Sequence, residues 1–171
     1  RHWISPFGCT LYLSCLWEFF QGAAALEGLS LATGVAVVKA FEDLGIPGAR
    51  LKWPNDILIG NAKVSGILLE MTGDPSGRCQ VVVGVGINHK LPLAAAVGID
   101  QPWIRIEDVH PGLSRNRLAA EVISQLLIML EEFQLNGFSA FKDQWESLDQ
   151  YRGAEVLIKT GADDIVGVAD G

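Results

Sequence analysis

Cysteine is scarce in this chain. Cys9, Cys15 and Cys79 are an odd number and form no CxxC pair. A disulfide framework and a thiolate zinc site are therefore not expected as organising devices, and a reducing, cytoplasmic setting is the expectation. Cys9 and Cys15 share parity with Leu11 and Leu13, so they read as apolar strand positions. Positive charge is also short: 13 Lys and Arg against 20 Asp and Glu give a formal net charge of −7. Such a chain is poorly suited to wrapping a nucleic-acid backbone, which demands clustered cations, although one or two suffice for a nucleotide. No run reaches the roughly 18 uninterrupted apolar residues of a membrane-spanning helix, and no partnership with a membrane is expected. Internal repeats and low-complexity tracts are missing too. The chain opens on Arg1-His2-Trp3, without an initiator Met or a signal peptide, and stops at Gly171 inside a strand-like pattern. We expect an internal piece of a longer protein.

What is present is core-forming material. Hydrophobic residues make up 49% of 171, enough to fill one domain with a small appendage. Thr10–Trp17 reads as a buried strand after the Pro6-Phe7-Gly8 turn. Leu31, Val35, Val38, Phe41 and Leu44 repeat at helical spacing over Leu29–Leu44, and Gly45 and Pro47 stop the helix. Leu51–Trp53 is a short strand ended by Pro54. Ile57–Ile59 and Ala62–Met71 form a hairpin through Gly60-Asn61, and a second hairpin leads to Cys79–Val85. Leu91–Gly98 has no clear period and reads as a loop before Trp103. Leu118–Phe133 is a long amphipathic helix with Ser114 or Asn116 as N-cap, and Phe138–Leu148 a shorter one. Val156–Lys159 and Ile165–Ala169 close as a final hairpin. The order predicts an α+β fold, with a mixed, mostly antiparallel sheet and helices on one face. Residues 1–150 would form the main domain, and 151–171 the start of a small β module.

Three segments carry chemistry. In Lys52-Trp53-Pro54-Asn55-Asp56, an aspartate beside an acyl phosphate can orient or deprotonate an amine, or hold Mg²⁺. A surface turn in which Asn55 and Asp56 bond their own backbone is the plainer reading. In Ala62-Lys63-Val64-Ser65-Gly66-Ile67-Leu68, strict alternation places Lys63, Ser65 and Ile67 on one face and Val64, Gly66 and Leu68 on the other. A solvated lysine at a hairpin mouth is the plainer reading here. Gly66 argues for more, because glycine inside a strand permits close approach by a ligand. Gly84-Val85-Gly86-Ile87-Asn88 is the third segment. It lacks a third glycine and a following helix, and Pro92 interrupts it, so it is not a dinucleotide fingerprint. It reads as a strand end of bare backbone, where Asn88 offers both donors and an acceptor. His89 and His110 read as surface residues, and no resident metal site is expected.

In this order and spacing, KWPND, AKVSGILLE and VVVGVGIN closely resemble the catalytic domain of biotin–protein ligases. Arg1 to Gly8 resembles the segment after that family's glycine- and arginine-rich loop, and Leu11-Tyr12-Leu13-Ser14 its next strand. The resemblance implies an ATP-dependent ligase. Biotin is activated as biotinyl-5′-AMP, then passed to a lysine of a biotin carboxyl carrier protein, with Mg²⁺ accompanying ATP. It implies catalytic roles for Lys63, Asp56, Asn55 and Arg1. Biotin would meet Lys63, Gly66, Ile67, Gly84 and Tyr12. The nucleotide would meet Arg1, Trp3, Asn55, Gly86, Ile87, Asn88 and Trp103. The tail would begin an SH3-like module. A homodimer edge is expected around Lys63–Gly73, and DNA binding only through an N-terminal domain that lies outside this chain.

The glycine- and arginine-rich loop is itself missing here, and position 2 is His where the family more often has Lys or Arg. Alternatives are a lipoate or octanoate transferase relative, a non-catalytic biotin or biotinyl-adenylate regulatory fragment, and a remnant that folds without binding. The KWPND segment favours biotin.

Overall fold

Ser114 starts the longest helix of the chain, its Oγ accepting from the Arg117 N–H at 3.1 Å. Side-chain capping of this kind satisfies one of the orphan amides of the first turn. The computed structural model describes residues 8–74, 76–92, 101–159 and 164–170. Five strands, β1 (Thr10–Phe19), β2 (Ala49–Lys52), β3 (Asp56–Ile59), β4 (Ala62–Gly73) and β5 (Cys79–Asn88), build one sheet in the order β1-β5-β4-β3-β2. All four ladders are antiparallel, and isolated parallel bridges add Leu51–Asp149 and Lys63–Trp103. Among the described residues there are four α-helices, α1 (Leu29–Asp43), α2 (Ile106–Val109), α3 (Arg115–Asn136) and α4 (Lys142–Leu148); three match the expected helices, and the one-turn α2 is additional.

The core forms where α1 lies on one face of the sheet. Val37, Val38, Phe41, Val83, Val85 and Ile87 are all at most 2% exposed. Gly34 lets helix and sheet approach closely, since a Cβ there would come within 2.9 Å of Leu51 Cδ2. Together with the 3₁₀ turn Ala23–Leu26, α1 forms a 21-residue helical stretch within which an 18-residue window, interrupted by charged residues, reaches a mean hydropathy of 1.5. By length and composition that stretch matches a membrane span, but ten of the fifteen α1 residues are buried inside this core. α3 packs beside α1 and directly against β1, where Phe133 meets Phe19, so among the described residues the long helices gather on this one face of the sheet. Tyr12, Leu16 and Leu68 on the opposite, open face are 49%, 60% and 62% exposed.

The segment Phe138–Leu148 divides into a 3₁₀ turn, Gly137–Ala140, and α4. β6 (Glu155–Lys159) and β7 (Asp164–Val168) pair as a separate two-stranded sheet with exposed apolar side chains. β4 is interior to the sheet over Ala62–Gly66, flanked by β3, so the expected dimer edge cannot begin at Lys63. From Leu68 to Gly73, β4 runs beyond β3 and its ladder there is with β5 alone.

Candidate active site

One rung of the sheet joins all three chemical segments. Register places Lys52 opposite Asp56, Asp56 opposite Gly66, Gly66 opposite Gly86 and Gly86 opposite Tyr12. Residues directly opposite in antiparallel strands share a face, so the five line up across the open side. Gly84 sits in the next rung, between Leu68 and Ser14. The centre of this face is glycine backbone, buried at Gly66 and half-buried at Gly84 and Gly86, bounded by cations and a carboxylate at one end and a phenol at the other.

Strict alternation assigns Lys63 to the opposite face from Gly66, and the structure corrects this. The β3–β4 register shifts between Ile57 and Leu58, so Ser65 faces Ile57, Lys63 faces Leu58, and Val64 is one residue extra. A bulge of this kind re-aims the side chain beside it. Val64 is fully buried, and Lys63 turns to the Asp56 side, where Nζ lies 2.5 Å from Oδ1 with both side chains 14% exposed.

Lys63 is also gripped by its backbone. Its N–H donates to the Pro102 carbonyl at 2.9 Å, and its carbonyl accepts from Ile104 N–H at 3.0 Å and Asn88 Nδ2 at 3.2 Å. Trp103 therefore sits beside Lys63, and Asn88 acts on the lysine's own peptide. Asn55 is pinned likewise: Nδ2 donates to the Ile67 carbonyl at 2.7 Å, and its carbonyl accepts from Ile67 N–H at 2.9 Å. Its amide donor thus fixes the turn to β4. Ser30 Oγ donates to the Pro54 carbonyl at 3.2 Å from α1.

Ile67 and Ile87 depart from the sequence assignment. Both side chains belong to the core under α1, at 3% and 0% exposure, so only their backbone is on offer to a ligand. Arg1 and Trp3 lie outside the described residues. His89 is not a surface residue: it is 3% exposed and its Nε2 is 2.8 Å from the Leu113 carbonyl, to which it donates. Sequence reasoning missed Lys52 as the end of the rung, and it missed Arg105. The Arg105 guanidinium binds both Asp108 carboxylate oxygens and the Leu91 carbonyl. The spacing Arg105-x-x-Asp108 was the available signal. Hydrogen bonds from Arg105 hold the Asp108 carboxyl below the usual aspartate range.

A groove of about 480 Å³, lined by residues including Leu31, Trp53, Pro54 and Phe138, lies on the α1 side of the KWPND turn. None of the rung glycines lines it, and it is separate from the constellation above.

A family model for the biotin/lipoate A/B protein ligase family matches residues 1–88, which hold all three motif segments. The chain belongs to that family. The bifunctional ligase/repressor BirA of Escherichia coli is 38% identical over 171 residues, covering 100% of this chain and 53% of that protein. The biotin–[acetyl-CoA-carboxylase] ligase of Paracoccus denitrificans is 30% identical, covering 100% of this chain and 73% of its own length. Among solved structures, the Aquifex aeolicus biotin protein ligase in complex with biotin and ATP superposes with a TM-score of 0.76 at 28% identity, covering 94% of this chain and 66% of that one. The α+β architecture, an antiparallel sheet with helices, is thus the fold of biotin protein ligases. The chain spans about half the length of the BirA proteins it matches.

Proposed function

We propose that the open face of this sheet activates biotin with ATP as biotinyl-5′-AMP, and that the biotin then passes to a lysine of a carrier protein. The observation that carries the reading is the Lys63–Asp56 pair standing at the end of a floor made by Gly66, Gly84 and Gly86. Bare backbone admits a flat ring system to van der Waals distance, and Tyr12 closes the far side. The biotin carboxylate attacks the α-phosphorus of ATP, and pyrophosphate leaves. Lys63 stabilises the negative charge that develops on the phosphate and carboxylate oxygens. As Lys63 moves from Asp56 to these oxygens, the aspartate is released. It then accepts the proton of the acceptor amine as that nitrogen attacks the acyl carbon and AMP departs.

The nucleotide lies on the Asn88 and Trp103 side, with Arg1 and Trp3 completing it. Mg²⁺ is carried in by the phosphates, which suits a metal that keeps its waters and takes few protein carboxylates. The carrier is identified by its chemistry, a domain presenting an exposed lysine. A homodimer through Leu68–Gly73, the part of β4 beyond β3, fits the exposure of Leu68 and Met71. Residues 151–171 are read as the start of a separate β module, and three free cysteines suit a cytoplasmic setting.

Biotin-dependent exchange of pyrophosphate into ATP by the whole protein tests the activation step. Exchange is expected with biotin, and at least about 100-fold less with lipoate, a ligand without the ureido ring. Exchange supported by lipoate or octanoate instead would assign the chain to the other branch of the family.

A further inference from the structure

Two separate segments hold the backbone of Lys63, and one guanidinium ties them together. Pro102 and Ile104 bracket the lysine peptide from one side, while Asn88 reaches the same carbonyl from β5. Arg105 follows directly on Ile104, and Leu91 lies three residues after Asn88. The Arg105 Nη1 donates to the Leu91 carbonyl at 3.1 Å. Its Nε and Nη2 donate to Asp108, at 3.0 Å and 2.5 Å to Oδ1. Asp108 in turn accepts from the Arg105 N–H at 3.1 Å, fixing the residue at the start of α2. A planar fork with all its edges engaged is stiff, and charge-assisted bonds are the strong ones. A second tie runs parallel to it, from Glu107 N–H to the His89 carbonyl at 3.1 Å.

We propose that Arg105 is a positioning residue for biotin activation: clamped by Asp108 onto the Leu91 carbonyl, it sets the Pro102–Ile104 strap that fixes Lys63. The inference rests on the ligase reading, in which Lys63 meets the reacting carboxylate. Arg105 touches neither the glycine floor nor Tyr12, so it acts on rate rather than on the fit of biotin. The lysine ammonium stands at the end of a side chain hinged on the peptide that the strap holds. Loosening that peptide lets Nζ drift from the reacting oxygens and lowers the fraction of bound biotin in a productive geometry.

The test uses the whole protein and two readouts. Arg105→Met keeps the aliphatic stem and removes every side-chain donor, leaving the backbone N–H on Asp108. It is expected to lower kcat for biotin-dependent pyrophosphate exchange about tenfold, with KM for biotin changing less than about twofold. Arg105→Lys reaches the Leu91 carbonyl but cannot fork onto Asp108, and is expected to recover part of the loss. Amide hydrogen exchange at Lys63 and Ile104 is expected to quicken in Arg105→Met, while Val83 in the core stays protected as in the parent. Undiminished kcat in Arg105→Met overturns the inference. So does a loss shared by the Val83 amide, which would make Arg105 a general stability element. A parent protein without any biotin-dependent exchange overturns the ligase reading instead, and the hydrogen-exchange arm still decides whether Arg105 holds the strap.

Discussion

Lys63→Ala is expected to lower kcat/KM for biotin activation by about 10³-fold, the scale found when a preorganised charge is removed from a developing oxyanion. The bulge at Val64 is what gives the lysine this role, because without it the side chain would share the face of Ser65. The substitution also strips Asp56 of its partner at a site where both side chains are 14% exposed. Leaving a half-buried carboxylate unpaired is destabilising by itself, so the loss of rate has to be separated from a loss of fold. The double variant Lys63→Ala, Asp56→Asn removes the orphaned charge. It is expected to regain stability in urea denaturation and to remain as inactive as the single variant. Recovery of activity along with stability would show that Lys63 matters only as the counter-ion of Asp56.

The second large effect is on stability. Gly28→Ala is expected to cost roughly 3 kcal/mol, the sum of about 1–2 for a left-handed residue and about 1–3 for overpacking. Gly28 caps α1 at φ 81°, and its carbonyl accepts the first helical bond from Ala32 at 2.9 Å. A Cβ there would fall 2.4 Å from Phe138 Cγ and 2.6 Å from Phe138 Cβ, too near the backbone for a simple rotamer change to relieve. Gly45 has φ +75° and nothing within 4 Å of such a Cβ. Gly45→Ala therefore isolates the conformational cost, roughly 1–2 kcal/mol. Urea denaturation of the two variants should show the Gly28 change as clearly the larger, and equal losses would remove the packing argument. Two residues on, Ser30 holds the Pro54 carbonyl, so disturbing this cap also loosens the turn that bears Asp56.

Local signals made much of this legible in the sequence. Gly60-Asn61 announced its hairpin because only certain residues accept the backbone of a two-residue loop. The apolar spacing from Leu31 to Phe41 announced α1, and Ser114 its cap. What escaped depends on partners distant in the chain. Strict alternation cannot foresee a bulge, and one extra residue at Val64 reverses the face of Lys63. Alternation puts Ile67 on the face of Ser65, and only the position of α1 shows that this face, with Ile87, is the core. Asn55 reads in the sequence as bonding its own turn or a ligand, because its actual acceptor, the Ile67 carbonyl, lies twelve residues away. His89 looked exposed because the Leu113 carbonyl that satisfies it comes from the approach to α3. Arg105 is different: its partner Asp108 is only three residues away, and what the sequence hides is the reach of the guanidinium to the Leu91 carbonyl.

The central claim is that biotin lies on the Gly66–Gly86 rung of the open face. Backbone amide shifts of the isotope-labelled protein, followed as biotin is added, test it most directly. The account predicts that the amides of Gly66, Gly84 and Gly86 move together, with Asn88 and Lys63 following, while Leu31 and Phe138 stay unchanged. Shifts confined to the groove beside Trp53 and Phe138, with the rung glycines unmoved, would contradict it.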